Sequence, residues 1–281
     1  MNWSSVKNIM IFILVGVNLL TGCIFLLREY ERQQTEITAE AEAYAALCRL
    51  VPIVPSDIFD GEHPLLYTLE ARRDREAEAR ALFFLIGEGT ATELGGGIVS
   101  YEGRQGYATA LNNGSFEVFL ADGIPLEGGE EAVGALLRKA GFPETTVPAV
   151  SSRSEAATYY TATQLQDGHP LFGCDLTVRV ESGDVTYLGG TAYFGAPTAV
   201  TAPAEKSLST ILLNFAGELI DEGTPCRQIF SAVPGFIASQ IAPGVVRLEP
   251  TWEIDANSKP YYVDAYTGKI AIFSTGVFRS F

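Results

Sequence analysis

Hydrophobic positions in this chain form one unbroken block followed by short periodic runs. The block spans 9–27 (IMIFILVGVNLLTGCIFLL), nineteen consecutive positions without a charge. As a helix rising about 1.5 Å per residue it is about 28 Å long, close to the hydrocarbon thickness of a bilayer. It is apolar all round, unlike the one-sided stripe of a surface helix. The pattern predicts a transmembrane helix at 9–27 behind a short cytoplasmic lead at 1–8. Charge returns at Arg28, and 28–50 reads as a helical stalk without glycine or proline. Its apolar stripe is Ile37, Ala41, Tyr44 and Cys48. Pro52 and Pro55 end it.

Beyond the stalk, short runs alternate with turn signals. Residues 51–145 form a first predicted unit: a strand at 65–71, a helix at 72–86, strands at 97–101, 106–111 and 116–120, and a helix at 130–140. Asn113-Gly114 is a hairpin signal. In the last helix the acids Glu130 and Glu131 lead, the bases Arg138 and Lys139 trail, and Gly141 follows, as the helix dipole and C-cap favour. The Pro/Ser-rich stretch 146–154 is the candidate boundary. The second unit, 155–281, opens with a meander at 158–166, 171–180 and 185–194, turned at Asp167-Gly168 and Ser182-Gly183-Asp184. A helix at 204–220 carries Leu208, Ile211, Leu212, Phe215 and Leu219 on one face. Strands at 228–233, 245–254, 260–264 and 269–275 complete it. Both units run turn, strands, helix. Asp60-Gly61-Glu62-His63-Pro64 is echoed by Asp167-Gly168-His169-Pro170. The expected fold is therefore α+β: the membrane helix, then two related units of curled antiparallel sheet, each packed on a helix.

Charge changes the picture of partners. The formal net charge is −15 over 281 residues, and Lys7 is the only charged side chain in 1–27. An acidic surface repels phosphate backbones, which argues against nucleic acid. A short lead before a large folded part favours a cytoplasmic N-terminus and an extracytoplasmic remainder. The four cysteines do not form a disulfide framework or a zinc spacing. Any pairing among Cys48, Cys174 and Cys226 is left open. Leu20-Thr21-Gly22-Cys23 spells a bacterial lipobox, making Cys23 a candidate lipidation site. Apolar residues follow it, and the run exceeds the 7–15 residues of a signal's apolar region, so the uncleaved span is favoured over the lipoprotein and the secreted form. Within the span, Asn18 and Gly22 share a helix face with Thr21 alongside, which reads either as a helix–helix contact or, equally, as a tolerated polar residue near mid-membrane.

Candidate chemistry is sparse. The two histidines, His63 and His169, both precede proline, where turn geometry explains them better than a metal or acid–base pair. No nucleophile triad, HExxH or phosphate loop is present. Gly95-Gly96-Gly97 reads as a bend in a sheet. Glu253, Asp255 and Asp264 lie near Trp252, Tyr261, Tyr262 and Tyr266, an arrangement a glycosidase could use. Alternation along a half-exposed strand explains Glu253 and Asp255 better. No catalytic residue, metal, cofactor or small-molecule substrate is indicated.

Several short motifs together resemble the YycI family of membrane regulators. They are the opening Met1-Asn2-Trp3-Ser4 before a single span, the passage Gly168-His169-Pro170-Leu171-Phe172 with Leu176-Thr177-Val178 and Gly183-Asp184-Val185, and the ending Trp252-Glu253-Ile254 with Tyr261 to Ile270. The ending is also similar, more loosely, to PepSY domains. The family usually begins Met-Asp-Trp-Ser, so Asn2 departs from it, as does the lipobox-like Cys23. The resemblance implies a non-catalytic accessory protein in the cell membrane of a Gram-positive bacterium. Its implied partners are a sensor histidine kinase of the YycG/WalK type and a YycH-like protein. They would be contacted through membrane helices and exported domains, within a two-component system for cell-wall homeostasis. The alternatives are a PepSY-like binding or inhibitory module and a lipid-anchored cell-wall protein.

Overall fold

The computed structural model describes residues 3–59, 64–204 and 206–271; the side chains at 3–9, 11–13, 29, 31–34 and 36–37 of the first helix also lie outside the description. Helix α1, Trp3–Leu50, is a single 48-residue rod. It carries the apolar block and the stalk without a break, as the absence of proline and internal helix breakers in 28–50 predicts. A 3-10 turn at Ser56–Phe59 follows.

The remainder is mixed α+β, dominated by one large curled sheet of thirteen strands. In chain order come β1 (Leu69–Arg72), α2 (Arg75–Ile86), β2 (Gly89–Gly95), β3 (Ile98–Gly103), β4 (Gly106–Ala110) and β5 (Ser115–Pro125). Then follow α3 (Glu130–Ala140), β6 (Ala149–Arg153), β7 (Ala157–Gln166), β8 (His169–Glu181), β9 (Asp184–Thr191) and β10 (Thr198–Ala199). The chain continues with α4 (Leu208–Asp221), β11 (Ile229–Ala242), β12 (Val245–Ala256) and β13 (Lys259–Asp264). The spatial order is β10-β1-β12-β11-β8-β9-β5-β4-β3-β2, with β13 on β12, β7 on β8 and β6 on β7. Between these strands pairing is antiparallel except where β11 meets β8, Phe236 beside Leu171 and Ile237 beside Phe172; outside them an isolated parallel bridge joins Ile53 to Gln228.

Each half of the sheet is covered on one face by helices. Helices α2 and α3 bury Leu82, Leu85, Ile86, Val133 and Leu137 against Val99, Val118, Leu176 and Leu188 of β3, β5, β8 and β9. Helix α4 and the end of α1 bury Leu47, Leu212 and Phe215 against Trp252, Ile254 and Val263. A third cluster, with Leu69, Leu171, Phe236 and Val246, lies where the halves meet.

The helices fall close to their predicted positions, but the sheet does not divide at 146–154. Residues 149–153 are strand β6, paired with β7. Strand β5, before the stretch, pairs with β9, after it; β1 pairs with β12. Proline and serine suggest a boundary there, but strands choose neighbours by face and register, which composition does not encode. Strand β2 was not anticipated because its seven residues are exposed on both faces. The predicted strand 269–275 lies largely outside the described residues, as does the turn at 60–63. Its first residues continue antiparallel along β13, with Ile270 bridged to Val263.

Candidate functional site

The residues expected to act in the membrane sit on α1. Asn18, Thr21 and Gly22 are all exposed, and the Thr21 hydroxyl donates to the Val17 carbonyl at 2.8 Å. Apart from its chain neighbours and its own helix backbone, no atom of the described residues lies within 4 Å of where a Gly22 Cβ would stand. Cys23 is an exposed free thiol. Within 9–27 the side chains of Ile9, Ile11, Phe12 and Ile13 lie outside the described residues. Among those described, no helix is long and apolar enough to cross a membrane.

The chemical candidates of the second half are dispersed. Trp252 is buried on the helix side of β12, while Glu253 and Asp255 alternate onto the opposite face. The Asp264 carboxylate accepts from both the backbone N–H and the hydroxyl of Thr267 at 2.7 Å, holding the turn after β13. Asp255 Oδ1 is buried and, among the described residues, has no hydrogen-bond partner. His169 opens β8, whereas His63 lies outside the described residues. Cys48 is exposed, Cys174 and Cys226 are buried, and all three are free. Burial pushes the thiols of Cys174 and Cys226 up, away from the thiolate a nucleophile needs. Among the described residues no cluster of three or more His, Cys, Asp or Glu could hold a metal.

One polar network is built into the joint between the halves. Arg73, between β1 and α2, makes a two-pronged pair with Glu78, Nε to Oε2 and Nη2 to Oε1 both at 2.7 Å. Its Nη1 reaches the Gly97 carbonyl at 3.0 Å and Asn112 Oδ1 at 3.1 Å. The Tyr101 hydroxyl donates to Glu78 Oε1 at 2.8 Å. The two charged side chains are only 8% and 5% exposed. The bonds to Glu78 hold the Arg73 guanidinium above its ordinary value, and burial beside that carboxylate raises the Tyr101 phenol. The three glycines at 95–97 make the β2–β3 turn, each in the left-handed region, and so present the Gly97 carbonyl to Arg73. Its hydrogen bonds run among these side chains and the turn carbonyl, so the network holds the β2–β3 turn against the start of α2.

The chemically rich surface is the sheet face that the helices leave uncovered. Register places Glu102 opposite Tyr107, Tyr107 opposite Phe119, Phe119 opposite Tyr187, Tyr187 opposite Arg179, and Arg179 opposite Tyr159. Tyr107 stacks on Phe119 at 5.0 Å between ring centroids, and Phe119 meets Tyr187 at 5.1 Å. The Arg179 guanidinium lies 5.8 Å over the Tyr187 ring and is also paired with Glu181 at 3.3 Å. Tyr187 lies along the sheet over Gly189, where any Cβ would strike its hydroxyl at 2.2 Å. Burial, then Glu117 as a charge and hydrogen-bond partner, raises the Tyr187 phenol.

The same face continues onto the second half. The Phe172 ring contacts Tyr262 at 5.3 Å. Burial, then Glu253 and Asp175, push the Tyr262 phenol up to about 12. From Tyr107 to Tyr159 the row crosses four strand gaps, about 19 Å at the usual strand spacing. Of this surface the sequence pointed only to Glu253 and Tyr262. Alternation showed which residues of each strand face outward, but aligning the row requires knowing which strands are neighbours.

Beside the stalk, a groove of about 590 Å³ runs between α1 and α4, lined by Glu40, Leu66, Lys206, Ile211 and Trp252 among others.

No family model matches the chain, and no curated protein matches it. Several solved structures are similar, two of which follow. An uncharacterised protein from Eubacterium rectale aligns with 11% identity over 83% of this chain and 99% of that one, with a TM-score of 0.48. The C-terminal domain of Bacillus megaterium YpeB aligns with 10% identity over 71% of this chain and 96% of that one, with a TM-score of 0.39.

Proposed function

We propose that the chain is a membrane-tethered, non-catalytic regulator whose folded part works outside the cytoplasm by binding other proteins. The observation that supports this most is the course of α1. One uninterrupted 48-residue helix carries the apolar block and ends inside the folded body. Ala43 and Leu47 of its last turns, and Val51 beyond it, are buried, Leu47 and Val51 in the core cluster that α4 helps to form. A tether needs no such joint; a loose linker would hold the domain equally well. A rod seated in the core transmits tilt or rotation between membrane and domain, because packed cores shift between discrete arrangements and do not deform continuously.

The motif resemblance to YycI regulators supplies the partner class: a sensor histidine kinase of the YycG/WalK type with a YycH-like protein. Asn18, Thr21 and Gly22 are the proposed contact within the membrane. A PepSY-like binding module is the alternative, and the uncovered aromatic face favours a binding role in either case.

The test breaks the rod without touching either end. Thr38→Pro with Ala39→Pro interrupts α1 at exposed stalk positions, and interior prolines cost a helix about 3 kcal/mol each. The full chain should still sediment with membranes, and its effect on autophosphorylation of the kinase reconstituted beside it should be lost. Unchanged kinase output would defeat the coupled-rod reading. Recovery of the unbroken chain in the soluble fraction would defeat the tether.

A further inference from the structure

We propose that the uncovered face of the sheet docks an extended, lysine- and arginine-rich segment of a partner polypeptide. This goes beyond the tether and does not need it, since it concerns the sheet face alone.

Three observations converge on a cationic occupant. The first is the ladder of rings Tyr107, Phe119 and Tyr187, flanked by Tyr159, with Tyr107 52% exposed. Aromatic rings attract lysine and arginine head groups by their quadrupole. The second is that carboxylates border the rings. Glu102 is opposite Tyr107, Glu117 is two residues from Phe119 on the same face of β5, Asp175 is exposed on β8, and Glu253 is opposite Tyr262. An ammonium held between a ring and a carboxylate meets both attractions at once. The third is that Arg179, beside the rings, is already paired with Glu181, and Arg247 with Glu70 at 2.7 Å, which leaves Arg72 of β1 as the exposed arginine of these rows against Glu102, Glu117, Asp175 and Glu253. The face therefore offers excess negative charge. Arg179, lying over Tyr187, already makes within the chain the contact that a docked cation would repeat.

The shape selects an extended chain. The rings and acids lie in rows across neighbouring strands and not around a cavity, so a folded ligand or small molecule would touch only a few of them. Nucleic acid and other polyanions are opposed by the net charge of −15.

The experiment uses the full chain in non-ionic detergent and a fluorescein-labelled dodecapeptide of alternating lysine, glycine, arginine and glycine, followed by fluorescence anisotropy. The wild-type chain should bind it, and the corresponding glutamate–glycine peptide should not bind. Glu117→Gln with Glu253→Gln should weaken binding about tenfold, as loss of rim ion pairs does. Glu127→Gln with Glu222→Gln, the same charge change on the helix side of the sheet, should leave it within about twofold. Tyr107→Ala, which alters no charge and removes an exposed ring, should weaken it several-fold. Circular dichroism confirms that each variant is folded; should Tyr107→Ala not fold, Tyr107→Leu takes its place and carries the same expectation. Equal loss from both glutamate pairs, or full binding without the Tyr107 ring, would reduce the effect to non-specific charge and overturn the proposal. So would failure of the wild-type chain to bind, or retention of a neutral chitohexaose in place of the peptide.

Discussion

Arg73 shows how a residue's surroundings can reverse what its type suggests. The sequence around it, Arg72-Arg73-Asp74-Arg75-Glu76, reads as the wet half of an amphipathic helix. Instead Arg73 and Glu78 are among the least exposed charges of the described residues, because the turn at 95–97 and Asn112 close over them. The pair leaves no signature in the sequence. It is five apart, outside the helical i, i+4 spacing, and one member precedes the helix. Two charges out of water are stable only while each completes the other, so deleting one strands its partner. Glu78→Ala should therefore destabilise the fold by about 3–5 kcal/mol, and Tyr101→Phe, which removes one bond to a charged acceptor, by about 1.5–3 kcal/mol. Replacing the pair together by Arg73→Met with Glu78→Leu should recover much of the Glu78→Ala loss. Urea unfolding followed by tryptophan fluorescence measures all three. Additive losses in the double variant would mean that the two side chains are not energetically one unit.

At the scale of elements, legibility followed local rules. Helix α3 was read in full because its signals are all in its own sequence: acids first, bases last and Gly141 after. Gly141 does sit in the left-handed region at φ 87°, and its N–H returns to the carbonyl of Arg138. No atom lies within 4 Å of a Cβ added there, so the cost of Gly141→Ala is one of backbone conformation alone, about 1–2 kcal/mol in thermal unfolding. A loss well above that would mean the loop to β6 also depends on this glycine. Helix α2 was read three residues too early, since the cap that decides its start is Asp74, whose carboxylate accepts from Ala77 N–H at 2.9 Å. Strand β11 was cut short at Val233, because Pro234 and Gly235 look like an ending. Proline is tolerated there because β8 joins β11 only at Phe236 and Ile237, leaving the edge beside Pro234 unpaired. Strands β2 and β6 were missed for the opposite reason: small polar residues, exposed throughout, leave no alternation to read.

At the scale of the whole molecule, the question is whether the two helix-covered halves unfold together. The recurring order of elements suggests two independent bodies, and only two residue pairs join β8 to β11. The joint is nevertheless reinforced on several sides. Arg73 N–H donates to the Gly244 carbonyl at 2.8 Å and Asp74 N–H to that of Phe194 at 2.6 Å, stitching the start of α2 to both halves. Leu171 and Cys174 of β8 are buried in one cluster with Phe236, Val246 and Leu69. Separating the halves would expose that cluster and the Arg73–Glu78 pair together, a cost larger than a two-pair strand contact implies. Calorimetry on the full chain should accordingly show one cooperative transition for the folded part. Gly235 is the place to challenge it, since a Cβ there would meet the Pro170 carbonyl oxygen at 2.4 Å and the Phe172 ring at 2.6 Å. Gly235→Val should destabilise the fold by an overpacking cost of about 1–3 kcal/mol, lowering the midpoint, and split the transition, as the joint opens before the halves melt. Two transitions in the unaltered chain would instead make the halves separate domains that merely share an edge.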